Sequence, residues 1–388
     1  MKTKFGWEWI RKAYGIFCEC ALKWFVLLPV KKKKVVFDNF GGRGFGCDPK
    51  YIALELLRRG SDLDIVWLTR DMAADFPEGI RPVKYGGVRA LYELATAGVW
   101  VDNFKSALRV PKKKEQYYIQ TWHSSLGLKK NEKDAPKLDE SYIWRAKRDS
   151  EATDLMYSNN AFRAEKYRNS FWYSGRVIRC GHPRNEILVH TPEYIRKKVR
   201  EHYHLPEDRK ILLYAPTFRS RAGGEVYRFL AEPCLEACEE RFGGDYVCLR
   251  RLHPNVAGQI SEAGGEREGK VIPATDYPDM QELLAAADVL VTDYSGTMFE
   301  FMLTGRPVFL LAKDLKVYVD RERELYFSLE ELPFSLAQSE EELTGQIRSF
   351  DAEKYRENCQ NFMMRVGMEE DGLGAKVLAD IIQEKTGV

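Results

Sequence analysis

The chain reads as an α/β protein of two facing, doubly wound, Rossmann-like domains, and three observations carry that prediction. Short apolar strands alternate with amphipathic helices from residue 35 onward. The alternation starts afresh after a polar, charged stretch at 191–210, and several strands run straight into glycine, histidine or small hydroxyl residues. At 388 residues the chain also exceeds the roughly 250 to 300 at which one core usually stops growing, so two domains are expected.

The first series predicts strands over 35–40, 64–69, 99–103, 117–122 and 177–180, with helices over 49–59 and 88–97. The second predicts strands over 211–215, 246–252, 289–292 and 308–311, with helices over 229–242, 280–286 and 297–303. Such nearly continuous apolar strands suit parallel sheets covered on both faces. The organisation that follows is a basic segment 1–34, a first domain 35–190, a linker region 191–210 and a second domain 211–388, whose last helix can pack back on the first.

With 44% apolar and 30% charged residues, the composition excludes a disordered or collagen-like chain. The net charge of +2 is unevenly spread: residues 1–34 hold nine Lys and Arg against two Glu. An isolated basic end points to an anionic surface as partner and not to nucleic acid. Within it Tyr14, Phe17, Cys18, Ala21, Phe25 and Leu28 share one helical face, opposite Arg11, Lys12, Glu19 and Lys23. Glu19 and Lys23 interrupt any membrane span. Trp7, Trp9 and Trp24, followed by Lys31 to Lys34, predict instead an interfacial amphipathic anchor, with a helix packed on the protein body as the alternative.

The eight cysteines form no CxxC pair, as expected of a reduced, cytosolic chain. Cys234 and Cys238, one helical turn apart in an apolar run, read as buried small hydrophobes. No cluster has zinc spacing, so no metal is expected.

Ligands of doubly wound sheets bind beyond the carboxyl ends of the strands. There the sequence places His123-Ser124-Ser125-Leu126-Gly127, whose imidazole can take a proton from a hydroxyl near neutral pH. In the second domain stand Thr217 and Arg219, then Arg251 and His253, expected on one face of a strand and suited to a phosphate. Asp293-Tyr294-Ser295-Gly296-Thr297 opens a helix whose N–H groups suit an anion, although capping explains Asp293 and Ser295 equally well. The glycines at 41, 42, 44 and 46 lack the GxGxxG spacing, and no GxxxxGK[ST] occurs.

Six stretches taken in order resemble the CDP-glycerol glycerophosphotransferases of teichoic acid synthesis: FDNFGGRGFGCDPKYIA (37–53), QTWHSSLGLKK (120–130), GHPRNE (181–186), YAPTFR (214–219), RLHPN (251–255) and DYPDMQELLAAADVLVTDYSGTMFEF (276–301). The resemblance implies a GT-B-type fold and a peripheral enzyme on the cytoplasmic face of a bacterial membrane. It implies transfer of glycerol phosphate, or a related polyol phosphate, from CDP-glycerol or CDP-ribitol to a lipid-linked (undecaprenyl diphosphate type) or glycolipid acceptor, with release of CMP and no cofactor. On that resemblance His123 and His253 are the expected catalytic groups. Trp122, Ser124, Ser125, Gly127, Arg184, Thr217, Arg219, Arg251, Asp293, Ser295, Gly296, Thr297 and Glu300 are the expected substrate contacts. The family's Trp-His-Gly-Thr-Pro stretch stands here as Trp122-His123-Ser124-Ser125-Leu126, and its Asp-Tyr-Ser-Ser stretch as Asp293-Tyr294-Ser295-Gly296. Two alternatives share the architecture: a GT-B glycosyltransferase using a nucleotide sugar, and a membrane-surface binding protein with a vestigial cleft.

Overall fold

A computed structural model describes residues 24–25, 27–105, 110–219, 229–252, 269–321 and 324–388. Trp7, Trp9, most of the predicted amphipathic helix, and His253 lie outside the described residues.

The first sheet comprises β1 (Lys31–Asp38), β2 (Asp64–Thr69), β3 (Ile80–Lys84), β4 (Ala97–Asp102), β5 (Tyr117–Gln120), β6 (Leu155–Ser158) and β7 (Arg176–Arg179). The second comprises β8 (Lys210–Tyr214), β9 (Tyr246–Arg250), β10 (Val271–Pro273), β11 (Val289–Thr292), β12 (Val308–Leu311) and β13 (Ser335–Ala337). Their orders are β3-β2-β1-β4-β5-β6-β7 and β10-β9-β8-β11-β12-β13. Every pairing is parallel. Both sheets reverse direction at their first strand, between β1 and β4 and between β8 and β11, which is where a doubly wound sheet opens a crevice.

Alternate residues of β1 serve two cores, as the period of a strand requires. Val35 and Phe37 pack with Ile52 and Leu56 of helix Cys47–Arg58, whereas Val36 packs with Leu68, Leu94 and Trp100 on the opposite face. The chain's last helix, Gly374–Thr386, returns to the first sheet and buries Leu378, Ala379 and Ile382 beside Val35 and Val99. Arg59 fastens it through Asp380, Gln383 and the Lys376 carbonyl. Cys234 and Cys238 are fully buried on helix Ala231–Phe242. Among the described residues no metal-binding cluster occurs, and no helix is long and apolar enough to cross a membrane.

Two local expectations change. Strand β9 ends at Arg250 and not at 252, because the Leu252 N–H turns to the Thr275 hydroxyl and leaves the ladder, so Arg251 lies just beyond the strand. The lysine run is not part of a preceding basic tail: Lys31–Lys34 form the first half of β1. Lys34 is buried against Glu93 at 2.5 Å and bonds Thr96, and Lys33 pairs with Asp62. Glu93 is fully buried and also receives Arg81 and Arg89.

Burial alone would raise the Glu93 carboxyl, but Arg81 and Lys34 hold it down at about 2. Its contribution is therefore complete above the ordinary value of 4.5 and is lost as pH falls toward 2. Removing one partner of a buried ion pair costs about 3 to 5 kcal/mol. Urea unfolding at pH 7 should show a loss of this order for Glu93→Ala, shrinking as the pH is lowered.

Candidate active site

At the carboxyl end of the first sheet, β5 stops at Gln120 and the chain bends sharply. Trp122 adopts φ 57, and Phe40, just beyond β1, adopts φ 47; both are left-handed conformations that cost a bulky residue on the order of 1–3 kcal/mol. The bends bring both rings against the imidazole of His123, with centroids 4.3 Å away for Trp122 and 5.4 Å for Phe40. Nδ1 of His123 lies 3.1 Å from the carbonyl oxygen of Asn103 at the end of β4. A carbonyl can only accept, so Nδ1 carries the proton and Nε2 keeps its lone pair. Burial, with Arg184 and Arg163 nearby, lowers the imidazole's pKa to about 4, so the ring is neutral at pH 7. The Asn103 side chain holds that carbonyl in place: its Oδ1 accepts from the Phe40 N–H and its Nδ2 donates to Asn39.

Immediately after His123 the loop joins a buried network between the domains. The Ser125 hydroxyl reaches Glu300 of the second domain, and Glu300 receives Nε and Nη2 of Arg184 at 3.2 and 2.5 Å and the Gln281 amide at 2.8 Å. Arg184 then reaches back through Nη1 to Asp48 at 2.7 Å, and Asp48 also accepts from Nδ1 of His182. Burial alone would raise Asp48's carboxyl, yet Arg184 and His182 keep it below its usual value. Each guanidinium nitrogen of Arg184 is engaged within the protein. Gly127 has φ +78, and a Cβ there would collide with the guanidinium of the fully buried Arg163, so the position requires glycine. Ser124, the next residue after His123, is half-buried.

In the second domain the crevice at β8 and β11 is organised by Asp293. Its carboxylate accepts from the backbone N–H of Thr217 and from Nη1 of Arg219, at 2.8 and 2.6 Å. Arg219 also holds Asp314 with Nε and Nη2, and its guanidinium lies over the stacked rings of Tyr294 and Tyr318. Asp293 is thus committed to the loop after β8 and does not cap the following helix. That helix, Thr297–Phe301, has Gly296 at its N-cap without a side-chain bond. Ser295, Gly296 and Thr297 are partly exposed, and the Ser295 and Thr297 hydroxyls bond each other at 2.9 Å. Arg251 donates to the carbonyls of Ala274 and Tyr277.

A family described as CDP-Glycerol:Poly(glycerophosphate) glycerophosphotransferase matches residues 20–384. The chain belongs to that family. It is 29% identical over 375 residues to a teichoic acid poly(glycerol phosphate) polymerase of Staphylococcus epidermidis, covering 92% of this chain and 51% of that one. The chain therefore spans about half that polymerase's length. With a teichoic acid glycerol-phosphate transferase of Staphylococcus aureus it shares 28% identity across 90% of this chain and 93% of the relative. The solved wall teichoic acid polymerase TagF, in a variant soaked with CDPG, superposes with a TM-score of 0.84 at 26% identity, covering all of this chain and 99% of that one. The fold is of the GT-B type, two Rossmann-like domains facing one another.

Three members of the buried network, Asp48, His182 and Gln281, and the Asn39–Asn103 clamp were not singled out from the sequence. The stretches that carry Asp48 and His182, FGCDP and GHPRNE, were; their pairing is tertiary and spans 134 residues. Nitrogen NMR of His123 in the free protein should show a neutral ring protonated on Nδ1 at pH 6. A half-protonated ring near pH 6.5 would contradict this geometry.

Proposed function

We propose that the chain transfers glycerol phosphate from CDP-glycerol to an acceptor hydroxyl, releasing CMP, in the synthesis of teichoic acid or a related surface polymer. The observation that carries this reading is the neutral His123, with its Nε2 lone pair free, on the loop that Ser125 and Glu300 join to the helix start at 295–297. The family match and the likeness to TagF soaked with CDPG support the same donor.

In this reading the acceptor hydroxyl gives its proton to Nε2 of His123 as its oxygen attacks the phosphorus that bears glycerol. The bond from that phosphorus to the CMP oxygen breaks, and CMP leaves with the electron pair. Nearby phosphates favour the charged imidazole, so donor binding itself raises the basicity of a ring that is weakly basic when the cleft is empty. Ser295, Gly296, Thr297 and Arg251, with His253 expected near them, bind the pyrophosphate. Thr217, Arg219 and Asp293 shape the adjoining crevice, and Trp122, Ser124 and Gly127 shape the acceptor side. Arg184 and Glu300 act by holding the two halves in register. Positioning and charge stabilisation supply most of what phosphoryl transfer needs.

The acceptor is a lipid-linked or glycolipid hydroxyl, reached from the cytoplasmic face of the membrane. Exposed Trp24 and Leu27, at 74% and 77%, and the basic residues before them support attachment there.

Purified protein should release CMP from CDP-glycerol, offered beside CDP-ribitol with a membrane extract, and His123→Ala should lose about 10²- to 10⁴-fold in rate. A folded His123→Ala protein with full turnover would exclude this base. For attachment, deletion of residues 1–28, which spares β1, should abolish sedimentation with anionic vesicles while preserving the unfolding transition. Unchanged sedimentation would exclude the anchor.

A further inference from the structure

On the face of the first sheet away from helix Cys47–Arg58 lies a cavity of about 410 Å³. Most of its wall is apolar: Val36, Leu68, Leu94, Trp100, Val110 and Ala152. Its other end, at the carboxyl ends of β1 and β4, carries Asp38 and Asp102, which are register partners on adjacent strands and are only 4% and 6% exposed. Neither carboxylate forms an ion pair among the described residues. Burial pushes Asp38 up to about 7, and burial with the neighbouring carboxylate pushes Asp102 well above its ordinary range. Both carboxyl groups therefore hold a proton more readily than exposed ones. Trp144, Arg145 and Arg148 of helix Glu140–Ala152 line the same cavity, and Trp144 is 51% exposed.

An apolar chamber closed at one end by carboxyl groups, with an exposed indole and two cations beside it, suits an amphiphile and not a free nucleotide. Its place in the fold says which amphiphile. Asp102 directly precedes Asn103, whose carbonyl orients His123, so the polar end of the cavity adjoins the proposed base. Phe25 packs on the apolar cluster that contains Val36, Leu68, Leu94 and Trp100, beside the exposed Trp24 and Leu27. The cavity thus belongs to the layer on which Phe25 packs.

We propose that this cavity receives the part of the acceptor lipid's hydrocarbon chain nearest its head, with the head's hydroxyl groups at Asp38 and Asp102. The proposal rests on the transfer reading above, and it assigns acceptor selection to the chain as well as to the hydroxyl. Trp100 and Trp144 make occupancy measurable, because a bromoalkane chain quenches an indole that it touches.

The probe is 10-bromodecanol, added to the full-length protein and to two variants that fill the chamber from different sides, Ala152→Leu and Leu94→Phe, each checked by circular dichroism. Saturable quenching in the wild type, weakened about tenfold or more in at least one folded variant, is the expected result. In turnover, the same variant should raise KM about tenfold for an acceptor with a long chain and leave KM for free glycerol 3-phosphate unchanged. Absence of saturable quenching in the wild type, or equal quenching in all three proteins, would overturn the proposal. CMP release failing with every acceptor while quenching persists would overturn the transfer reading and leave a chain-binding cavity.

Discussion

The geometry of the cleft depends on one buried chain of charge, from Asp48 through Arg184 to Glu300. Taking these groups out of water is expensive, and apolar residues of similar volume would often hold two domains together as well or better. What apolar contact does not supply is direction. Arg184 meets one carboxylate from each domain with its planar fork, so small rotations of one domain against the other lengthen several charged bonds together. The same carboxylate of Glu300 receives Ser125, two residues past His123, and sits within helix Thr297–Phe301. The proposed base and the proposed phosphate-binding helix are thereby referred to a single side chain. Lys50 adds a second strut by pairing with Asp279 and Glu282 across the same interface.

Within each domain a different device prepares the strand ends. In the first, two bulky residues are forced into left-handed backbone so that their rings confine an imidazole whose tautomer is set by a backbone carbonyl. In the second, Asp293 and Asp314 share Arg219 over a tyrosine stack. Neutralising Arg219 in this way removes a cation from direct duty at the crevice and spends it on the loop after β8. The anion-binding capacity proposed for that edge rests on backbone N–H groups, on Arg251 and on hydroxyls, groups that stabilise charge without reorganising.

Much of this was legible in the sequence because it is local. Strands at 64–69, 289–292 and 308–311 and the helix at 280–286 fall where their apolar runs predict. Strand β6, four residues of LMYS, and strand β3, which contains a proline, carry too little pattern to stand out. The site was legible as a set of strand ends but not as a set of partners. Arg184 and Glu300 were each expected to touch substrate; that they touch one another, 116 residues apart, is decided only by the packing of two sheets. The lysine run shows the converse. Four consecutive lysines look like a solvated patch, yet they open β1 between β2 and β4, and the last of them, Lys34, is buried against the distant Glu93, which also receives Arg81 and Arg89.

That correction changes how a membrane would be held. Basic residues near an anionic leaflet contribute about 1 kcal/mol each only while they remain free to approach it. Lys33 and Lys34 are already paired within the protein, so the electrostatic share falls to the other seven Lys and Arg of residues 1–34, opposed by two Glu. In the proposed attachment apolar insertion adds to that share, since Trp24 and Leu27 are exposed and Phe25 packs on an apolar cluster of the first sheet. Attachment by apolar side chains fixes depth more firmly than attachment by charge, because the hydrophobic gain is confined to the boundary whereas Coulomb attraction acts across a Debye length. A sheet held at fixed depth keeps the carboxyl ends of β1, β4 and β5 at one height above the lipid. In the proposed attachment the fold, and not a flexible tether, would set His123 at a level that a lipid's head group can reach.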